Sequence, residues 1–408
     1  MCYMKKDKLL VIITFLIGCL FTFPLFKENI SSIFLIATTV VTVFYLSTAK
    51  KKILLKKQHL IYTLPFFIVL CTNIFAINAE IDWKNVSKSL MFLIFPLVFF
   101  NIPANVFKNL ETKFIYIFKF SCLIISSFYI ISFLLNHSFS DFFNESYNES
   151  VFRKHVYSIA IFKIHPTYFS LFLNVGIIHS LLRFKKELKY LNLFTFIFSL
   201  IMILLLSSRL MIVISFISII YAVTKGISIK KRYFIPIIAV FFSGLIFLPG
   251  IKSRFLEAYN DFNNPPKGMY FNSTNIRKSI ISCSFEILQE NYLRGVGFSN
   301  IQTELNECYA ANYDSKFYEN HDYLTHNYLM YIFLGSGILG FSIFLFYLFT
   351  VIRNCLKIKN VLLNVVLFNC IALFFVEDFL YRHYGLFFFN LFVFSYLKFY
   401  EYTLKENV

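Results

Sequence analysis

The chain has 408 residues, of which 58% are hydrophobic, 20% aromatic and only 15% charged, with 56 Phe against one Trp. Soluble domains carry about 25% charged residues, so this composition excludes an ordinary soluble enzyme, a disordered chain and a disulfide-dense secreted scaffold. The net charge of +17 would suggest nucleic acid in a soluble protein, but here Lys and Arg stand in short runs between apolar segments, where they set topology; no nucleic-acid partner is expected. Long unbroken apolar runs also exclude a transmembrane β-barrel, whose strands alternate apolar and polar residues. The expected class is an all-α polytopic membrane protein.

Hydropathy in windows of about 19 residues predicts spans at 9–26, 30–49, 60–78, 88–103, 114–136, 166–182, 191–207, 210–224, 233–250, 326–349, 361–380 and 384–400, about twelve in all. The first carries Leu16-Ile17-Gly18-Cys19, which resembles a lipoprotein cleavage site, but the apolar run continues to Phe26 and favours an uncleaved helix. The run 191–224 is too long for one helix, and Ser207-Ser208-Arg209 reads as the tip of a hairpin. The basic runs Lys50–Lys52 with Lys56 and Lys57, then Arg183, Lys185, Lys186 and Lys189, then Lys225, Lys230, Lys231 and Arg232 fall on one side together with Lys5, Lys6 and Lys8. By the positive-inside rule this side is cytoplasmic, giving an N-in, C-in topology.

Three sections follow: nine spans in 1–250, an outer loop at 251–325 and three spans in 326–408. Within the loop a helix is predicted from an N-cap at Asn275, with Ile276, Ile280, Cys283 and Ile287 on one face and Gly295-Val296-Gly297 ending it. No C-x-x-C pair occurs. Cys19, Cys71, Cys122 and Cys370 lie in apolar runs; Cys283 and Cys308 share the outer loop, and whether they pair is open at this level.

Ionisable residues at membrane depth are costly and are functional candidates by default. Arg209 stands at the hairpin tip with Ser207 and Ser208 able to hold it, against a bland reading as a cation that snorkels to headgroups. Arg254 and Arg277 lie in the outer loop. Arg277 is expected in the first turn of the predicted helix, where the helix dipole opposes a cation and a bound anion would explain it. His326-Asn327 opens the tenth span and places a proton acceptor at the boundary. Gly335, Gly337 and Gly340 follow on a close-packing face. His165 precedes Pro166 at the start of the sixth span, and Glu377-Asp378 with Arg382-His383 close the eleventh, where an ion pair among themselves is the structural alternative. Glu80 and Asp82 form an acid-x-acid pair that in some metal-dependent glycosyltransferases holds a cation.

Arginines fork onto phosphate oxygens, and a nearby His suits deprotonation of a hydroxyl. No nucleotide motif is present, so an activated lipid donor is expected to supply the energy: glycosyl transfer from a polyprenyl-pyrophosphate-linked sugar, with no cofactor.

The same residues resemble the O-antigen ligase and O-antigen polymerase family of bacterial envelopes. The resemblance rests on Ser208-Arg209 at a hairpin tip, Arg277 in the outer loop, Gly295-Val296-Gly297, and His326-Asn327 leading into Gly337-Ile338-Leu339-Gly340, about a third of the chain. It implies a GT-C-like, metal-independent enzyme of the bacterial inner membrane with its active site facing the periplasm. Such an enzyme moves a glycan from undecaprenyl pyrophosphate to a sugar hydroxyl. Carried over, Arg209 and Arg277 bind pyrophosphate and His326 acts as base. Arg254 and Glu377 match less closely, and Asn327, His165 and Arg382 join as substrate-binding candidates by position. A ligase uses a lipid A-core acceptor and a polymerase another lipid-linked chain; the loop placement favours the ligase. A polysaccharide flippase or transporter is the rival class, and it calls for similar halves with charges at the midplane.

Overall fold

A computed structural model of the chain describes residues 2–54, 56–75, 82–146, 149–162, 164–184, 188–226, 256, 259–262, 264–319 and 321–406. Among these residues the structure is helical apart from a two-residue antiparallel pair, β1 (Glu145–Ser146) with β2 (Glu149–Ser150). The first half contains α1 (Cys2–Leu20), α2 (Glu28–Thr48), α3 (Lys57–Ile61), α4 (Leu64–Phe75), α5 (Trp83–Ser89), α6 (Met91–Asn101), α7 (Ile115–Asn136), α8 (Val151–Ser158) and α9 (Pro166–Arg183). The second contains α10 (Lys189–Leu205), α11 (Arg209–Gly226), α12 (Ser273–Asn291), α13 (Ile301–Asn312), α14 (Tyr328–Leu356), α15 (Val361–Phe374) and α16 (His383–Glu406). The ninth predicted span, 233–250, lies outside the described residues.

In a bilayer the backbone must satisfy its own polar groups, which selects helices for apolar runs of this length. Five described stretches are long and apolar enough to cross: Glu28–Thr48, Trp83–Asn101, Ala104–Asn136, Arg209–Gly226 and Tyr328–Leu356. Leu64–Phe75, Lys189–Leu205 and Val361–Phe374 are apolar but shorter. The expectation of about twelve spans is thus carried by five clear cases among the described residues.

The helices that miss the criterion are instructive. From Pro166 to Leu181 every residue of α9 is buried, and from His383 to Tyr396 every residue of α16 is too. Their polar residues (Ser170, Asn174 and His179 in one, Asn390 and Ser395 in the other) lower the hydropathy, yet they face protein rather than lipid. A helix that is buried all round belongs at the centre of a bundle. Phe23 knits this centre, with ring centroids 5.1 Å from Phe172 of α9, 5.1 Å from Phe387 of α16 and 5.8 Å from Phe118 of α7. Such aromatic pairs add about 0.5–1.5 kcal/mol each beyond area burial.

The two ends of α9 define the two ends of the bundle, about 27 Å apart at 1.5 Å per residue. At its C-terminal end Arg183 pairs with Glu111 at 2.7 Å, and Asn360 donates to the same carboxylate at 2.7 Å. At its N-terminal end lie the α10–α11 turn, the α15–α16 loop and the starts of α12 and α14.

The outer-loop helix differs from expectation at its start. Its cap is Asn272, not Asn275: the Asn272 side chain accepts from the backbone N–H of Thr274 and Asn275, and the Asn275 side chain accepts from the Asn272 N–H. Arg277 therefore stands past the first turn, beyond the strongest reach of the dipole. The buried face is as read, with Ile276, Ile280, Cys283 and Ile287 inward. Cys283 of α12 and Cys308 of α13 form a disulfide.

Gly337 does more than allow close packing. Its φ of 61° and ψ of −169° break α14. The Leu334 and Gly335 carbonyls freed there accept from the backbone N–H of Val296 at 2.8 Å and Gly297 at 3.1 Å, and Ile338 N–H donates to the Tyr292 carbonyl at 2.8 Å. The segment 292–297 is thus a backbone strap across the broken helix. A Cβ on Gly295 would meet the Leu334 carbonyl oxygen at 2.4 Å, and one on Gly337 the Leu293 oxygen at 2.3 Å. The glycine pair is required because two backbones touch.

Candidate functional site

Three helix starts and two loops bring the candidates to one end of the bundle. In the α10–α11 turn Ser207 adopts φ 49° and binds the Leu204 and Leu205 carbonyls, while Ser208 donates to Thr167 at 3.3 Å. The two serines therefore hold the turn and not Arg209 as expected. Arg209 donates instead to Ser273 Oγ at 2.8 Å, at the first residue of α12. Ser273 and Arg277 are four apart and share one face of that helix, so the two arginines border the same space.

Arg277 Nη2 lies 3.3 Å from Glu377 Oε1, and the other oxygen of Glu377 faces His326 Nδ1 at 3.8 Å. That distance is an ion-pair contact and too long for a hydrogen bond; the buried Nδ1 has no hydrogen-bond partner among the described residues. The anion that the Arg277 position called for is, within this chain, Glu377. The alternative of an ion pair among Glu377, Asp378, Arg382 and His383 is corrected: Asp378 accepts from the Thr325 hydroxyl and from the His326 backbone N–H at 3.1 Å, and His383 Nε2 meets Ser31 Oγ at 2.8 Å. Arg382 is exposed beside this cluster.

His326 does not begin α14. It precedes the helix in the left-handed region, φ 42°, and Asn327 caps the helix by accepting from Met330 N–H at 3.0 Å. A non-glycine residue there is strained by about 1–3 kcal/mol. The buried Asp378 carboxylate, 3% exposed, holds the strained turn from across the bundle. His165 caps α9, its Nδ1 accepting from Thr167 N–H at 3.3 Å, and its ring lies within the field of Glu377, Arg277 and Arg382.

The electrostatics separate the two carboxyls. Burial alone pushes Glu377 up, but His326, His165 and Arg277 together prevail and hold it at about 2. Burial dominates at Asp378 and raises it despite His326 and Thr325. Burial also lowers His165 to about 4, with Glu377 opposing and Arg153, Arg382 and Arg277 reinforcing the shift. Near neutral pH Glu377 is an anion and the His165 ring is neutral.

Two contributors were missed from the sequence. Arg153 of α8, 8% exposed, donates to the Leu206 carbonyl at 2.7 Å behind the α10–α11 turn. Tyr168 stacks on Phe379 with centroids 5.6 Å apart and fixes the Glu377 loop against α9. Arg153 was one loop cation among several and carried no distinguishing signal. Of the remaining candidates, Arg254 and Glu80 lie outside the described residues, and Asp82 accepts from Asn85 N–H at 3.0 Å as the cap of α5.

Residues 194–345 match the family model described as O-antigen ligase. That stretch, about a third of the chain, is similar to the O-antigen ligase family. No curated protein matches the chain. The matched stretch contains Arg209, Ser273, Arg277, the strap and His326, while His165, Glu377 and Asp378 reach the same site from outside it.

Proposed function

We propose that this protein is an O-antigen ligase-like glycosyltransferase that moves a glycan from undecaprenyl pyrophosphate to a lipid A-core sugar hydroxyl at the periplasmic face of the bacterial inner membrane, without a metal. The observation that carries the reading is the meeting of Arg277 and His326 on the two oxygens of Glu377, with Arg209 one helix face away. Arg277 is 37% exposed and among the described residues makes one 3.3 Å contact, with Glu377, so most of its five donors remain for phosphate oxygens. In the proposed step the acceptor hydroxyl attacks the anomeric carbon and passes its proton to His326. The glycosyl–oxygen bond breaks and its electron pair leaves on the pyrophosphate, whose charge Arg209 and Arg277 stabilise. Glu377, anionic throughout, stabilises the imidazolium as it forms, and Asp378 keeps the His326 backbone in place. The disulfide supports an outer location for the loop, since such bonds persist in oxidising compartments.

The test is a gel of envelope glycolipids from a deletion strain carrying wild-type protein or His326→Ala at equal membrane abundance. Loss of display with polymer left on the carrier lipid is expected. Core bearing a single repeat unit would assign the polymerase reaction to the same site, and full display would remove His326 from the mechanism.

A further inference from the structure

We propose a second, non-catalytic site: an anionic phospholipid seated between α1 and the 104–117 segment, at the opposite end of the bundle from His326. A cleft of about 600 Å³ opens there. Its floor is one face of α1, where Leu10, Thr14 and Gly18 follow at intervals of four residues with Val11 and Phe15 alongside, and Thr22 in the turn beyond. Val106, Phe114 and Ile117 form the facing wall. From Leu10 to its end at Leu20 the helix rises about 15 Å, the depth of one leaflet of a hydrocarbon core about 30 Å thick. Gly18 keeps the trough open: a Cβ there would meet Ile117 Cδ1 only at 3.6 Å.

The polar end identifies the headgroup. Lys108, Lys113, Asn105 and Asn109 line the same cleft. Neither lysine makes an ion pair or side-chain hydrogen bond among the described residues, and the carboxylate between them, Glu111, is taken by Arg183 and Asn360. Two ammonium groups with no ion pair among the described residues and two amides, lining one cleft with an apolar trough of leaflet length, match a phosphate on an acyl chain. Basic pockets between helices at a membrane surface are where anionic headgroups bind.

The experiment is native mass spectrometry of the purified full-length protein from nanodiscs containing phosphatidylglycerol and phosphatidylcholine, counting retained lipid. At roughly one kcal/mol per lysine, the expected preference for phosphatidylglycerol is about 30-fold. Lys108→Gln with Lys113→Gln should reduce that preference to about threefold or less, with unchanged melting in phosphatidylcholine. Gly18→Leu, which fills the trough, should reduce retention of both lipids. Equal retention of the two lipids by the wild type, retention of neither, or an undiminished preference in the double-lysine variant would overturn the site.

Discussion

His326 is held by its neighbours at both levels of its structure: Asp378 fixes its backbone and Glu377 faces its ring. Glu377→Gln should lower kcat at least tenfold with a smaller change in KM, because the lost charge acts on a cation present only in the transition state; steady-state transfer kinetics check this. With Glu377 held near 2, its own titration should not shape the rate above pH 4. His165 gives a separate signature. Its folded value of about 4 lies below the unfolded 6.5, so the unfolded state binds more protons between those values and stability should fall as pH drops from 6.5 to 4, by roughly 3 kcal/mol at the limit. His165→Asn keeps a capping side chain and should flatten that slope in thermal melts across pH. Arg209, Arg277 and His326 were legible because charge is rare in so apolar a chain. The task of Asp378 was not legible, since it depends on the left-handed backbone of a residue 52 positions away.

At the scale of elements, the strap over the broken α14 links the outer loop to the helix that follows His326. Gly337→Ala places a Cβ against the Leu293 carbonyl and forces a left-handed alanine. A loss of about 2–3 kcal/mol with reduced activity is expected, measured by melting and transfer assays together. The sequence showed glycines at helical spacing, which reads as a packing face; the break follows only once residues 292–297 are seen to supply the missing hydrogen-bond partners. The helix starts three residues earlier than expected for a related reason, since Asn272 and Asn275 cap each other and either alone resembles the signal. The Cys283–Cys308 bond closes a 25-residue separation, for which chain entropy suggests about 3 kcal/mol. Cys308→Ser should melt earlier than wild type without reductant and equally with it.

For the whole molecule, composition made the helical membrane class plain, and among the described residues the Glu111–Arg183 pair and the α10–α11 turn fall at opposite ends of α9. What hydropathy could not show is that α9 and α16 are surrounded by protein and not lipid, because the apolar content of a span does not say what packs around it. Six parts of the chain, from α8 to the α15–α16 loop, meet in one end cluster, three of them in the stretch similar to the O-antigen ligase family. The central claim is that this cluster holds a pyrophosphate leaving group and accepts the acceptor's proton. Its most direct test is transfer by the purified protein in liposomes, given a glycan on undecaprenyl pyrophosphate and a lipid A-core acceptor, with EDTA present. The account predicts glycosylated acceptor and freed carrier pyrophosphate in equal amounts, with both lost together in Arg277→Ala and His326→Ala. Undiminished transfer by those variants, or passage of the intact lipid-linked glycan with no new glycosidic bond, would contradict it.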